Sequence, residues 1–191
     1  MNYYFLVSSL PMLHLRLKPL ITLKAFLSAC ARDLPPEDLA VMSDLLASDG
    51  AHSSHPFAQE WRDRETELRN EVARLRARHR LLSPEVWLRP QRGDHLFNQT
   101  AVADAFQTTN PLERERSLDQ FRWTILGDLA GLNPFSIEAV FCYGLRLRLA
   151  CRWAAFDPAS GTALLERVAT ATAEASGNRA SAFNSKKARS A

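Results

Sequence analysis

From Asn133-Pro134 to about Phe156 the chain is at its most apolar, and at about 100° per residue its apolar side chains fall on two separate faces. Val140, Tyr143, Leu147, Cys151 and Ala154 form the first face, and Cys142, Leu145, Leu149, Trp153 and Phe156 form the second. The seams between the faces carry Arg148 with Arg152 on one side and Arg146 on the other. A helix with two apolar faces must be covered twice. It belongs between two layers, at the centre of a helical bundle.

The rest of the chain supplies those layers. Thr22 is placed to cap a helix over Leu23 to Arg32, with Leu23, Phe26, Leu27 and Cys30 on one face. Pro35-Pro36-Glu37-Asp38 opens another, running to about Ser48, with proline and acids in the first turn where a helix start favours them. The stretch SDGAHSSHP, Ser48 to Pro56, is turn chemistry. The longest helix, Pro56 to Arg80, spans about 40 Å at the usual rise. Its apolar positions, Phe57, Trp61, Leu68, Val72 and Leu75, make a narrow stripe covered elsewhere by Glu and Arg, which calls for one partner helix in a hairpin-like pairing. Ser83 to Gln99 reads as a loop with a short helical turn. Helices resume at Thr100 to Gln107 and, after Asn110-Pro111, at Leu112 to Ala130, with Leu118, Phe121, Ile125 and Leu129 inward and Gly131 closing the helix. A turn at Asp157 to Gly161 leads to a last amphipathic helix, Thr162 to Ala173, with Leu164, Leu165 and Val168. The expectation is an all-α fold, a helical bundle with one long hairpin-like helix, in which 1–173 is a single domain and 174–191 a disordered basic tail. Met1 to Leu10 suits a short strand or a first helix equally.

Composition narrows the function classes. At 191 residues, 46% hydrophobic and 24% charged, the chain has the makings of one globular domain with a real core. The net charge of +3 owes much to Arg179, Lys186, Lys187 and Arg189 in the tail, so nucleic acid is not an expected partner. Three cysteines lack CxxC spacing, and Cys142 and Cys151, nine residues apart in one helix, are separated by about 13 Å, too far to bond. That usage suits a reducing cytoplasm. No apolar run is long enough to span a bilayer. Tyr3 to Leu13 has the apolarity of a secretory signal, but no Lys or Arg precedes it, and a secretory role is not expected.

The motifs of catalysis are missing. There is neither GxxxxGK nor GxGxxG, and His52 and His55 read as solvated loop residues because no third ligand stands near. His95 beside Asp94 has no nucleophile motif to serve. No enzyme activity, cofactor or metal is expected. Glu60 to Arg80 alternates acids and arginines, the pattern of a solvated helix face laced with i,i+4 pairs. Arg148 and Arg152 read as snorkelling to solvent at the bundle's end, or as a docking point for a partner's carboxylate.

Two blocks resemble a known family. The opening run, with Tyr3-Tyr4, Phe5-Leu6-Val7, Ser8-Ser9-Leu10-Pro11, Pro19 and Ile21-Thr22-Leu23, is similar to the start of a bacterial family of mostly uncharacterised proteins. The second block is Tyr143-Gly144-Leu145-Arg146-Leu147-Arg148-Leu149-Ala150-Cys151-Arg152-Trp153 with the following turn and Leu164-Leu165-Glu166. That family is encoded beside subunits of V/A-type rotary ATPases and resembles a shortened C (or d) subunit. Where the full-length subunit carries a Glu in this helix, the present chain has Ala150 and Cys151. The resemblance implies a non-catalytic subunit of a bacterial V/A-type ATPase or ATP synthase. Such a part links the membrane ring to the central stalk, is cytoplasmic, and sits peripheral to the inner membrane through protein partners. A helical adaptor or regulatory protein unrelated to ATPases is the alternative. With the aromatics of the opening run expected to pack on the two-faced helix, the candidate partner-binding residues are Ser8, Ser9, Leu10 and Pro11 together with Arg146, Arg148 and Arg152.

Overall fold

The computed structural model describes residues 3–90, 96–156, 161–162, 164–170 and 172. By internal contacts the chain divides into two compact units, Met1–Ala154 and Ala155–Ala191. Among the described residues there are α-helices and one 3-10 turn, Glu85–Trp87, and no strand.

The opening run resolves as a short helix, α1, Tyr4–Ser9. Leu10 then turns extended at φ −84°, ψ 131°, as a residue before proline is pressed to do. In α2, Leu23–Asp33, the Thr22 hydroxyl accepts the Ala25 N–H at 3.1 Å, and the helix stops at an extended Leu34 ahead of Pro35. Helix α3, Pro36–Ser48, carries Glu37 and Asp38 in its first turn and closes through Asp49, at φ 57°, and Gly50, at φ 77°. A Cβ on Gly50 would also press on Ala58 Cβ at 3.0 Å, so this corner needs glycine twice over. The long helix α4 is Pro56–His79, with the His55 ring nitrogen accepting the Phe57 N–H. Then follow α5, Leu96–Gln107, and α6, Pro111–Leu129, capped by Asn110 and closed by Gly131 at φ 68°.

The central helix α7 is Ile137–Ala154. It begins three residues later than Pro134 suggests. Asn133 holds a turn by accepting the Phe135 N–H on its side chain and the Ser136 N–H on its carbonyl, and Ser136 then caps the helix through the Ala139 N–H.

Both expected faces of α7 are covered along most of their length, but Ala154 and Phe156 at their ends are exposed. It packs against α2 and α3 on one side and α6 on the other, while α4 packs on α5 and α6. Phe26, Met42, Leu45, Phe141, Leu145 and Leu147 are among the most deeply buried side chains of the main core. Helices α2 and α3 come close to α7 at Gly144, where a Cβ would lie 2.7 Å from Met42 Sδ and 2.9 Å from Phe26 Cε1. A smaller core of Leu68, Val102, Ala105 and Leu118 joins α4, α5 and α6.

Helix α4 departs from the expected solvated, single-partner helix. Glu65, Glu67, Asn70 and Glu71 are buried along with the apolar stripe, and the counter-charge of Glu65 comes partly from another helix. Glu65 receives Arg69 from its own helix at 2.7 Å and Arg122 of α6 at 2.9 and 3.0 Å. Arg122 also donates to Asp119, a fully buried carboxylate, at 2.9 Å. Burial works against the Arg122 charge, but Glu65 and Asp119 outweigh it and hold the guanidinium more firmly protonated than usual. Asn70 exchanges a pair of hydrogen bonds with the Arg89 backbone, at 2.8 and 2.9 Å, folding the segment after α4 back along it.

In the second unit, residues 161–162, 164–170 and 172 are helical, but Leu164, Leu165 and Val168 are exposed rather than buried. Of the expected turn at Asp157 to Gly161, Gly161 is helical and the other four residues lie outside the described ones, as does the basic tail.

Candidate functional site

The two sequence blocks meet at the surface beside Tyr143. The Tyr3 N–H donates to the Phe135 carbonyl at 2.8 Å, and the Tyr4 and Phe135 rings lie 4.3 Å apart, tying α1 to the turn before α7. Tyr3 is buried, with its hydroxyl on Asp38 at 2.6 Å, whereas Phe5 points outward. Beyond α1, the Tyr143 hydroxyl donates to the Pro11 carbonyl at 2.8 Å. Burial pushes that hydroxyl up to about 12, so it remains a donor at any physiological pH. This bond fixes the start of the 10–20 segment against α7.

Beside it runs a groove of about 600 Å³. One wall is Leu10, Pro11 and Met12, and the other includes Trp123, Leu132 and Arg146. Met12 is 81% exposed and Leu132 fully so, which leaves the rim apolar and open to solvent. Arg146 crosses this site under constraint. Its Nη2 donates to the Trp123 carbonyl at 2.8 Å, its guanidinium lies 5.1 Å from the centre of the Trp123 ring, and it passes over Gly127, where a Cβ would come within 2.7 Å of Nη2. Its Nε is buried without a partner. Burial lowers the Arg146 pKa, with Cys142 and Asp128 pulling the other way. The neighbouring Cys142 thiol is pushed up to about 12, chiefly by its own burial, and is not a nucleophile in this state.

Of the seven candidate residues, the structure brings Leu10, Pro11 and Arg146 together. Ser8 and Ser9 are exposed on the last turn of α1, outside the groove lining, with the Ser9 hydroxyl turned back onto the Leu6 carbonyl at 2.7 Å. Arg148 and Arg152 bind carboxylates, but those of this chain. Arg148 donates to the Leu45 and Leu46 carbonyls at 2.9 and 3.1 Å and pairs with Asp49; Arg152 pairs with Asp119. Both are engaged within the fold rather than snorkelling from the bundle's end. Trp153 Nε1 joins Arg152 on Asp119 at 2.8 Å.

Periodicity does not single out Met12, Trp123 or Leu132. The signal for Leu132 is its place between Gly131 and Asn133, where a turn leaves a large aliphatic residue nothing to pack on.

The loop histidines have structural work. His52 Nδ1 lies 2.9 Å from Asp44, whose carboxyl is lowered to about 2. The Ser48 hydroxyl contributes most to that lowering, burial opposes it, and His52 and the Ser53 N–H add to it. His55 caps α4. His95 and Asp94 lie outside the described residues. Among the described residues no group of three or more His, Cys, Asp or Glu is gathered as a metal site, and no helix is long and apolar enough to cross a membrane.

Residues 91–174 match DUF2764, a protein family of unknown function. The match covers less than half of the chain and includes α5, α6 and α7, and therefore Trp123, Leu132, Tyr143 and Arg146 of the groove. Leu10 to Met12 lie outside it. No curated protein and no solved structure matches this chain.

Proposed function

We propose that the chain is a non-catalytic subunit of a bacterial V/A-type rotary ATPase or ATP synthase, resembling a shortened C (or d) subunit, and that it links the membrane ring to the central stalk on the cytoplasmic side. The observation that supports this reading is the junction at Tyr143 and Pro11. The two blocks that resemble the ATPase-associated family, far apart in sequence, are joined there by a 2.8 Å hydrogen bond beside an open apolar groove. A part that passes torque between two others needs a stiff body and surfaces for contact, not a nucleotide site. Helix α7, held on one side by α2 and α3 and on the other by α6, supplies such a body.

Affinity purification of the tagged chain from its native membranes in mild detergent tests the proposal. ATPase head or ring subunits should co-purify in stoichiometric amount and be released progressively as salt rises, since charged contacts at a periphery are screened. Recovery of the chain without any such subunit at low salt rules the proposal out.

A further inference from the structure

The groove holds an incompletely satisfied cation between apolar walls. Among the described residues, the hydrogen bonding of Arg146 consists of the bond from Nη2 to the Trp123 carbonyl, and its Nε is buried without a partner. Asp128, whose charge it feels, forms no ion pair with it. Arg148 and Arg152 differ in this respect, each being matched to a carboxylate within the fold. A guanidinium drawn part-way out of water and left without an anion is poorly placed for stability and well placed to receive one. Next to it stand two rim residues that water surrounds, Met12 and Leu132. Arg16 and Lys18, further along the segment that carries Met12, line a separate pocket with Glu113 and Trp153, so Arg146 is the cation of the groove.

We infer that the groove between the 10–13 segment and the α6–α7 turn docks an acidic, apolar segment of another protein. A bulky aliphatic or aromatic side chain of that segment lies against Leu10, Met12 and Leu132, and an adjacent Asp or Glu carboxylate pairs with Arg146. Complementarity of charge selects the occupant. A concave apolar slot with one central cation fits a side chain and its neighbouring carboxylate, whereas a lipid surface calls for several cations on a convex face. The inference concerns the groove's chemistry and does not depend on the rotary reading, so failure of the co-purification leaves it standing, and the reverse holds.

Selection of a displayed library of random dodecapeptides on the full chain tests it. The recovered peptides should place Leu, Ile, Phe or Trp within one helical turn of an Asp or Glu. A synthetic consensus peptide should bind about tenfold or more weakly to the Arg146→Gln chain, and Arg146→Lys should recover part of the loss. Leu132→Asp gives a second arm. That position is fully exposed, so the change leaves the thermal melt in place while weakening the peptide to a similar degree. Four results would overturn the inference: no sequence recovered above background; a consensus without a carboxylate; a consensus indifferent to both Arg146→Gln and Leu132→Asp; or occupation of the face by something else. The last would be seen as self-association in sedimentation abolished by Leu132→Asp, or as binding to anionic phospholipid vesicles lost in the same variant.

Discussion

Arg148 and Asp49, ninety-nine residues apart, form an ion pair that closes the end of α3 against α7. Asp49 sits at φ 57° just past the last turn, and Arg148 adds its two hydrogen bonds to the terminal carbonyls of Leu45 and Leu46. Burial disfavours the Asp49 charge, yet Arg148 together with Arg69 brings its carboxyl below the usual range. Arg148→Met keeps the aliphatic stem and removes the donors, leaving carbonyls and a carboxylate that are mostly shielded from water. A loss of about 2 kcal/mol in urea unfolding is expected. A midpoint equal to that of the parent would show that Arg148 is not structural.

Asp119 and Arg152 should respond unequally although they touch. Asp119 is fully buried and receives Arg122, Arg152 and Trp153, so Asp119→Asn leaves the shape but strips a buried charge that three donors answer, while Arg122 keeps Glu65. A loss of about 3 kcal/mol follows. Arg152 is 53% exposed, and Arg152→Gln should cost less than about 1 kcal/mol. Equal effects in the two denaturation curves would contradict this account.

At Gly144 helix propensity and packing oppose each other. Alanine is favoured by about 1 kcal/mol in a helix interior, but its methyl would meet Met42 Sδ and Phe26 at contacts too short to keep. Overpacking of this kind costs about 1 to 3 kcal/mol, so Gly144→Ala should destabilise overall. In a Met42→Ala background, which opens the space, most of that penalty should vanish; a double-mutant cycle measures the coupling, and strict additivity would contradict the close approach.

Stability should fade at both pH extremes for named reasons. Asp44 titrates near about 2 in the folded chain, below its unfolded value of about 4. Its contribution is therefore present above about pH 4 and disappears as pH falls toward about 2. Tyr3 is raised to about 12 by burial first and by its bond to Asp38 second. What it contributes is present below about pH 10 and is lost as pH climbs toward about 12. Unfolding midpoints recorded across pH should show a shallower acid limb for Asp44→Asn and a shallower alkaline limb for Tyr3→Phe.

The helices with apolar periodicity and recognisable ends are legible in the sequence. Thr22, Pro36, Asn110 and Gly131 act where their chemistry places them, and the two faces of α7 are covered except at Ala154 and Phe156. Helix α4 is harder to read because Glu65, Glu67 and Glu71 count as solvent-facing on any periodicity scale. Whether an acid is buried depends on where its counter-charge lies, and Arg122 is 57 residues from Glu65. The same blindness affects the arginines of α7. Spacing marks the seam on which Arg148 and Arg152 lie but not Asp49 and Asp119, which meet them there. Of the groove, Leu10, Pro11 and Arg146 can be nominated from the two sequence blocks. Met12 and Leu132 cannot, since their importance lies in what fails to cover them.

The place of α7 in the chain has a consequence for how the protein is made. It is the last helix of the unit Met1–Ala154, yet it covers Phe26, Met42 and Leu45, which leave the ribosome more than ninety residues earlier. Until α7 emerges, the part of that apolar surface which α7 covers stays open to water. A chain truncated before residue 137 should therefore aggregate more readily than one that includes α7.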